Sequence, residues 1–421
     1  MTIETVAAAP VRTWTRERRV GAGLAGTGLL AAVLFGALAG DRPASFTFAE
    51  TTAGDAISVD GTLGAVLCGM VAIGAGAALW APGARRWLWW LLGLGIVAVV
   101  GSFLCWQLSQ AGQNVLPLGN VARSSMIFAL PLIFGGLAGT IGERTGVINI
   151  AIEGQFITGA FAGALVATVA ASVWVGILAA AFGGVLIAGL LALLAIRFQV
   201  DQIVVGVVLI VFAEGVTGFL FEQLMAPQQS LYNQPSRVPP WRVPLLSDIP
   251  LLGPMLFRAN IFVYLAVGLV VLVYFGLFHT RWGLRTRAVG EHPAAADTVG
   301  VRVLGLRYGN LLIAGAIAGI GGAYFTLLAT TNFNKGMTAG LGFIALATMI
   351  FGRWHPVGVL LAALFFGLSR ALAVYLTTIG SPIPGQFLNM LPYLATIAVV
   401  AGVVGRARPP AADGQPYIKG G

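Results

Sequence analysis

Between Gly142 and Phe156 the run GERTGVINIAIEGQF places Glu143, Arg144, Asn149, Glu153 and Gln155 between two long apolar stretches. A carboxylate at bilayer depth costs about 2.5–3.5 kcal/mol on insertion scales, so Glu153 is expected to face a protein interior or a wet path rather than lipid. On a regular helix Asn149 and Glu153, four positions apart, share a face, and Gln155 is turned away. Two compatible roles follow for Glu153: bracing a broken helix through buried hydrogen bonds, or lining a path for a polar substrate. Glu214 stands mid-span in VVLIVFAEGVTG and offers a bridge to another helix or a second point on such a path. Asn332, Phe333 and Asn334 precede a short apolar piece, where they form either a plain outer loop or a contact for a sugar or base.

Other chemistry is missing from the sequence. There is no GxxxxGK[ST] phosphate loop, so the chain is not expected to hydrolyse a nucleoside triphosphate itself. HExxH, GxSxG and paired-carboxylate constellations are absent too, and His279, His292 and His355 are far apart in sequence. Cys68 and Cys105 lie inside apolar runs without the spacing of a zinc site or a redox pair, and read as small packing residues. No catalytic residue, metal site or resident cofactor is assigned, and the chain is not expected to be an enzyme.

The elements that would position these residues are membrane helices. With 58% hydrophobic and 9% charged residues, the composition lies far outside the soluble globular range. Apolar runs of about 20 residues recur, whereas a membrane barrel would show alternating segments of about ten. The expected fold is all-α, a polytopic transmembrane helical bundle of about 11–12 crossings with one or more broken helices. In a soluble protein the net charge of +9 would suggest nucleic acid; here the basic residues cluster between apolar runs and read as topology signals, so no nucleic-acid partner is expected.

Arg12, Arg16, Arg18 and Arg19 precede the first apolar run, 20–40, and put the N-terminus in the cytoplasm. Ala37-Leu38-Ala39 looks like a cleavage site, but the run before it is near full spanning length, so an uncleaved first span is expected. Further spans are expected at about 62–82, 87–108, 122–141, 146–171, 173–196, 203–224, 260–280, 309–330, 356–379 and 386–404. Segment 226–259, with Pro227, Pro235, Pro239, Pro240, Pro244, Pro250 and Pro254, is too rich in proline for a helix and is read as a structured outer loop. Segment 341–351 is too short to cross straight and is flanked by Gly340, Gly342 and Gly352, the pattern of a broken or re-entrant helix. Counted with the residues before it as one crossing, it gives twelve and leaves Arg406 and Arg408 inside. Gly135 with Gly139, Gly159 with Gly163, and Gly315 with Gly319 each put two glycines on one helix face and permit close contact. A faint duplication relates 142–156 to 331–353.

The longest basic stretch between spans, 281–307, carries Arg281, Arg285, Arg287, Arg302 and Arg307 and is expected in the cytoplasm. Within its EHPAAADTVG, Pro293 suits a first helical position and Gly300 can end the helix, so a short helix and a docking surface are expected over Glu291–Gly300.

Three elements in order, SMIFALPLIFGGLAGTIGERTGVINIAIEGQFITGAFAG, RWGLRTRAVGEHPAAADTVGVRV and GLGFIALATMIFGRWHPVG, resemble the membrane permeases of ABC importers in the branched-chain amino acid, ribose and simple-sugar permease family. The nucleoside and simple-sugar branch is the nearest in look, and the similarity covers about 122–404. The resemblance implies a permease subunit importing nucleosides, with ribose or other simple sugars and branched-chain amino acids as alternatives. An ion-coupled secondary transporter or a channel is the competing class. Implied partners are a second permease, the same or different, two cytoplasmic subunits that hydrolyse ATP, an extracytoplasmic substrate-binding protein and membrane lipid. AAADTVG resembles the EAAxxxG coupling loop of such permeases, with Ala294 where the pattern has Glu. Glu291, Ala294, Ala295, Ala296, Asp297 and Gly300 are then the coupling residues, and Asn149, Glu153, Gln155, Glu214, Asn332, Phe333 and Asn334 the substrate-path residues. The implied organisation is a cytoplasmic tail 1–19, extra spans in 20–115, a permease core 116–405 and a cytoplasmic tail 406–421, in a multi-pass protein of the cell membrane.

Overall fold

The computed structural model describes residues 15–40, 42–52, 55–111, 115–381, 383–390, 393 and 408–418. Among them ten helices are long and apolar enough to cross a membrane, with an eleventh, shorter apolar helix at Leu341–Phe351. The expected last span, 386–404, falls mostly outside the described residues, from 391 on with the exception of 393. The chain divides into two compact units, one drawn from Met1–Asn120 and Leu372–Ala398, the other from Val121–Ala371 and Val399–Gly421.

The first unit packs helices α1 (Arg16–Leu38), α2 (Gly61–Ala78) and α3 (Leu88–Gln110). Backbones touch where side chains are smallest: a Cβ on Gly69 would lie 2.5 Å from the Cβ of Ala32, and one on Gly76 would lie 2.6 Å from the Gly21 carbonyl. The buried Ser102 hydroxyl of α3 donates to the carbonyls of Ala31 and Ala65, tying α3 to both other helices. One feature departs from the all-helical expectation. Strand β1 (Pro43–Thr47) pairs antiparallel with β2 (Ala56–Asp60) and parallel with β3 (Val115–Pro117), a small sheet built from the segments between spans. Alternation in FTF and AISVD is too brief to stand out beside the apolar runs. Cys68 and Cys105 are free thiols in this unit and interact with each other, an adjacency that sequence spacing does not reveal.

In the second unit the helices are α4 (Leu118–Glu143), α5 (Ile152–Val169), α6 (Val173–Ala192), α7 (Gln202–Leu220) and the short α8 (Gln229–Tyr232). After them come strands β4 (Trp241–Arg242) and β5 (Arg258–Ala259), then α9 (Ile261–His279), α10 (Arg281–Glu291), α11 (Pro293–Thr298), α12 (Val303–Tyr324), α13 (Leu341–Phe351) and α14 (Pro356–Thr378). The segment 226–259 holds only the four-residue α8, further short turns and the β4–β5 pair, with no long helix among its prolines. The last helix of the chain to be described, α15 (Gly385–Asn389), belongs to the first unit.

The most enclosed element is α4, with Met126, Leu130, Ile133, Phe134, Leu137, Ala138 and Ile141 at or below 1% exposure, so apolar residues surround it on all sides. Helices α5, α6 and α12 meet through their glycines. Added Cβ atoms would lie 2.5 Å from the Gly319 carbonyl oxygen at Gly159, 2.0 Å from that of Gly315 at Gly184, and 2.3 Å from that of Phe156 at Gly322. Gly159, Gly315 and Gly319 therefore make the close contacts expected of their spacing.

Candidate functional site

The helix expected over 146–171 does not begin at 146. Gly146 has φ +81°, the backbone turns over 144–151, and α5 starts only at Ile152. Glu153 is thus in the first turn of α5, and its carboxylate, 3% exposed, reaches the start of α13. Oε1 accepts from the Thr338 hydroxyl at 2.6 Å and the Gly340 N–H at 2.8 Å; Oε2 accepts from the Gly342 N–H at 2.6 Å. Gly340, the residue preceding α13, has φ +79° and no side chain to cap the helix, so Glu153 supplies that cap from elsewhere in the chain. Gly342 is required there, because a Cβ would lie within 2.7 Å of the backbone N, the Cα and Oε2 of Glu153.

Asn149 does not share a helix face with Glu153. It lies before the helix, where the four-residue spacing has no meaning, and its partner is Gln155, the residue expected to be turned away. The two buried amides exchange a pair of hydrogen bonds, Asn149 Nδ2 to Gln155 Oε1 at 3.2 Å and Gln155 Nε2 to Asn149 Oδ1 at 3.0 Å. The Gln202 side chain at the start of α7 accepts the Ile148 N–H at 2.7 Å. The break is thus held by amides, and its polar backbone is satisfied away from water.

The far end of α13 returns to the other side of the same break. Trp354 Nε1 donates to the Glu143 carboxylate at 2.6 Å, and Arg144 donates to the carbonyls of Trp354 at 3.0 Å and Arg353 at 3.4 Å. Residues 143–153 therefore run beside α13 and are fastened to both its ends. Left-handed backbone flanks α13 on each side, at Ala339 and Gly340 before it and at Arg353 and Trp354 after it. Sequence reading missed Thr338, Gly342 as a partner, and Trp354, since contacts across about 200 positions leave no local spacing to detect.

The remaining path residues are not gathered around Glu153. Phe333 is fully buried, edge-on to Phe161 at 5.4 Å, and its backbone exchanges hydrogen bonds with the Asn233 side chain (2.6 and 2.9 Å). It anchors the 331–340 turn to the loop after α8. Asn332 and Asn334 are nearer solvent and bond to each other at 3.2 Å. Glu214 lies on an exposed face of α7 among Val211, Phe212 and Val216, and no hydrogen bond or ion pair holds its carboxylate among the described residues. Two turns on, Glu222 is paired with Lys335.

The loop between α9 and α12 folds as its caps dictate. Thr280 caps α10 by accepting the Gly283 N–H at 3.2 Å, and His292 Nδ1 caps α11 by accepting the Ala295 N–H at 3.3 Å, with Pro293 at the first helical position. The end of α11 is a glycine C-cap: Gly300 at φ +83°, its N–H on the Asp297 carbonyl and the Val301 N–H on the Ala296 carbonyl. Ala296 is buried, whereas Glu291, Ala294, Ala295 and Val299 are exposed, Val299 at 79%. Asn310 connects α10 to α12, accepting from Trp282 Nε1 at 2.9 Å and donating to Thr286 Oγ1 at 3.0 Å. No cluster of three or more His, Cys, Asp or Glu able to hold a metal ion occurs among the described residues.

The family model for the branched-chain amino acid transport system, permease component, matches residues 120–404. The chain is similar to the guanosine ABC transporter permease protein NupQ of Bacillus subtilis, 39% identical over 72% of this chain and 98% of the relative. It is similar also to the nucleoside ABC transporter permease protein NupC of Lactococcus lactis, 38% identical over 71% of this chain and 96% of the relative. A putative glucose ABC transporter permease protein, TsgC13 of Haloferax volcanii, is 34% identical over 66% of this chain and 89% of its own length. No solved structure matches the chain. With ten membrane-length helices and a family match over most of its length, the chain is a multi-pass membrane protein belonging to the permease components of the branched-chain amino acid type of ABC transport system.

Proposed function

We propose that this chain is the membrane-spanning subunit of an ATP-driven importer of nucleosides. It works with a second permease, two cytoplasmic subunits that hydrolyse ATP and an extracytoplasmic binding protein that selects the substrate. The observation that carries the coupling half of this reading is the α10–α11 pair, a capped helical loop that exposes Ala294 and Ala295 of α11 beside the charged Arg281, Arg285 and Glu291 of α10 and joins α12 through Asn310. From α10 the contacts continue: a Cβ on Gly290 would lie 2.3 Å from the Arg144 carbonyl, and Arg144 opens the break that grips α13. Force received at α11 thus has a packed route to Glu153. The substrate half rests on the relatives named for guanosine and nucleosides.

Glu214 fits either a second permease against α7 or a water-filled path beside it. A carboxylate exposed mid-span costs about 2.5–3.5 kcal/mol in lipid, so water or protein should cover it once the transporter is assembled. In this reading the permease core is 116–405, segment 20–115 adds spans, and the tails 1–19 and 406–421 are cytoplasmic.

Reconstitution tests it. Vesicles holding the chain with its second permease, ATPase subunits and binding protein should take up guanosine only with ATP, in preference to ribose and leucine. Uptake by the purified chain alone down an ion gradient, with no ATPase bound, would sink the proposal in favour of a secondary transporter. Orientation is tested separately: a cysteine at Pro240 should react with an impermeant thiol reagent on intact cells, and one at Ala295 should not.

A further inference from the structure

Residues 408–418 carry no motif, yet they are folded onto the helices that the coupling reading uses. The turn Pro410–Asp413 closes with the Asp413 N–H on the Pro410 carbonyl at 3.1 Å. From this turn the Ala412 N–H donates to the Gly290 carbonyl at 2.8 Å, at the end of α10, and the Ala411 N–H points to the Glu291 carboxylate at 3.4 Å. Pro410 and Ala412 are buried by the contact. On its other side Gly290 lies against Arg144, so the end of α10 is held between the tail and the start of the break.

Arg307 of α12 fastens the tail to the break a second time. It is 2% exposed, and its Nε donates to the Thr145 carbonyl at 3.1 Å while Nη1 donates to the Gln415 carbonyl at 2.9 Å. Both are charge-assisted bonds, stronger than neutral ones. Gly146 fits here for want of a side chain, since a Cβ would lie 2.8 Å from both the Ala412 carbonyl and Arg307 Nη2. Farther along, Tyr417 packs against the small cluster that Val289 of α10, Ala296 of α11 and Val303 of α12 form. A helix of six residues such as α11 has little stability of its own and takes its position from what packs against it. Tyr417 supplies part of that packing.

We propose that residues 408–418 are a brace that positions α10 and α11 against the 144–151 break, so that movement delivered to these helices reaches the substrate path. The proposal rests on the reading of α10–α11 as the coupling element. Arg307 and Tyr417 are positioning residues in it; neither touches substrate.

The test uses the complete transporter in vesicles, with ATPase subunits and binding protein, against the same complex with this chain ended after Arg408. The shortened chain is expected to insert and to keep its ATPase subunits, while stimulation of ATP hydrolysis by guanosine-loaded binding protein falls about fivefold or more, with uptake falling alongside. Should the shortened chain fail to accumulate, Tyr417→Ala is read against Tyr417→Phe. Alanine should lose stimulation, and phenylalanine, which keeps the ring but not the hydroxyl contact with Asp297 of α11, should retain the part that packing carries. Unchanged stimulation and uptake on truncation, or wild-type stimulation in Tyr417→Ala, overturns the brace. An unaltered chain that binds no ATPase subunit overturns instead the coupling reading beneath it.

Discussion

The Glu153 carboxylate accepts the Gly342 N–H at 2.6 Å across 189 positions of sequence, where the first turns of α5 and α13 abut. Two helix N-termini, each with a partial positive charge, converge on one buried anion, a geometry in which each terminus contributes about 0.3–1 kcal/mol, and up to about 2 when partly buried. Bracing is therefore what Glu153 does in this conformation.

Replacing Glu153 separates charge from shape. Glu153→Gln keeps the volume but, whichever way the amide is placed, turns its NH2 toward a backbone N–H of Gly340 or Gly342, and Glu153→Leu leaves both without acceptors, each buried unsatisfied group costing about 1–3 kcal/mol. Uptake and thermal stability in detergent should both fall in the order wild type, glutamine, leucine. Wild-type uptake by the leucine variant at equal expression would remove Glu153 from the site.

Two glycines make a paired comparison. Gly342→Ala places a methyl within 2.7 Å of the Glu153 backbone and Oε2, an overpacking that costs about 1–3 kcal/mol. Gly268→Ala, in the middle of α9, meets nothing within 4 Å and should be neutral or stabilising. Thermal unfolding of the two purified variants checks this; equal midpoints would show that α13 can shift to make room.

The Asn149–Gln155 pair should behave as one unit. Either alanine substitution leaves the other amide buried and unpaired, at about 1–3 kcal/mol, so the double variant should lose clearly less than the sum of the singles. A double-mutant cycle by denaturation in detergent measures it, and additivity would mean that the amides bond elsewhere.

The attachment of the C-terminal segment should depend on pH through Asp413. Burial raises this carboxyl to about 6, above the ordinary aspartate value of 3.8, although its hydrogen bonds with Glu143 and the Gly414 backbone and the charge of Arg307 pull the other way. A raised folded-state value means that the stabilisation is complete below the unfolded value and is lost as pH rises through about 6. Protease cleavage after Tyr417 should therefore be slower at pH 5 than at pH 7.5. Asp413→Asn should flatten the difference; a profile unaltered by it would assign the titration to another group.

Legibility followed the range of each interaction. The α11 helix could be read from Pro293 and Gly300 because caps act within a few residues, and the polar run at 142–156 marked a broken element because charges among apolar residues stand out. The detail within that run misled. Pairing Asn149 with Glu153 assumed a helix that starts six residues later than expected, and the amide partner proved to be Gln155. Between its polar neighbours Phe333 reads as outer loop or substrate contact, but its ring is core. Arg307 was visible only as one basic residue of a loop, since its partners are the carbonyls of Thr145 and Gln415, and a backbone acceptor has no sequence signature. For the same reason nothing in 408–418 marked it as part of the folded structure.

The glycine contacts among α5, α6 and α12 bear on mechanics. Where Gly159 meets Gly319 and Gly184 meets Gly315 there is no layer of side chains between the helices, hence no rotamers to exchange and no slack in which to slide. Displacing one helix by a turn would drive a bulkier residue into a backbone gap sized for hydrogen. These three helices should travel as a single stiff block through the transport cycle, with strain taken up where side chains, rather than backbones, form the contact.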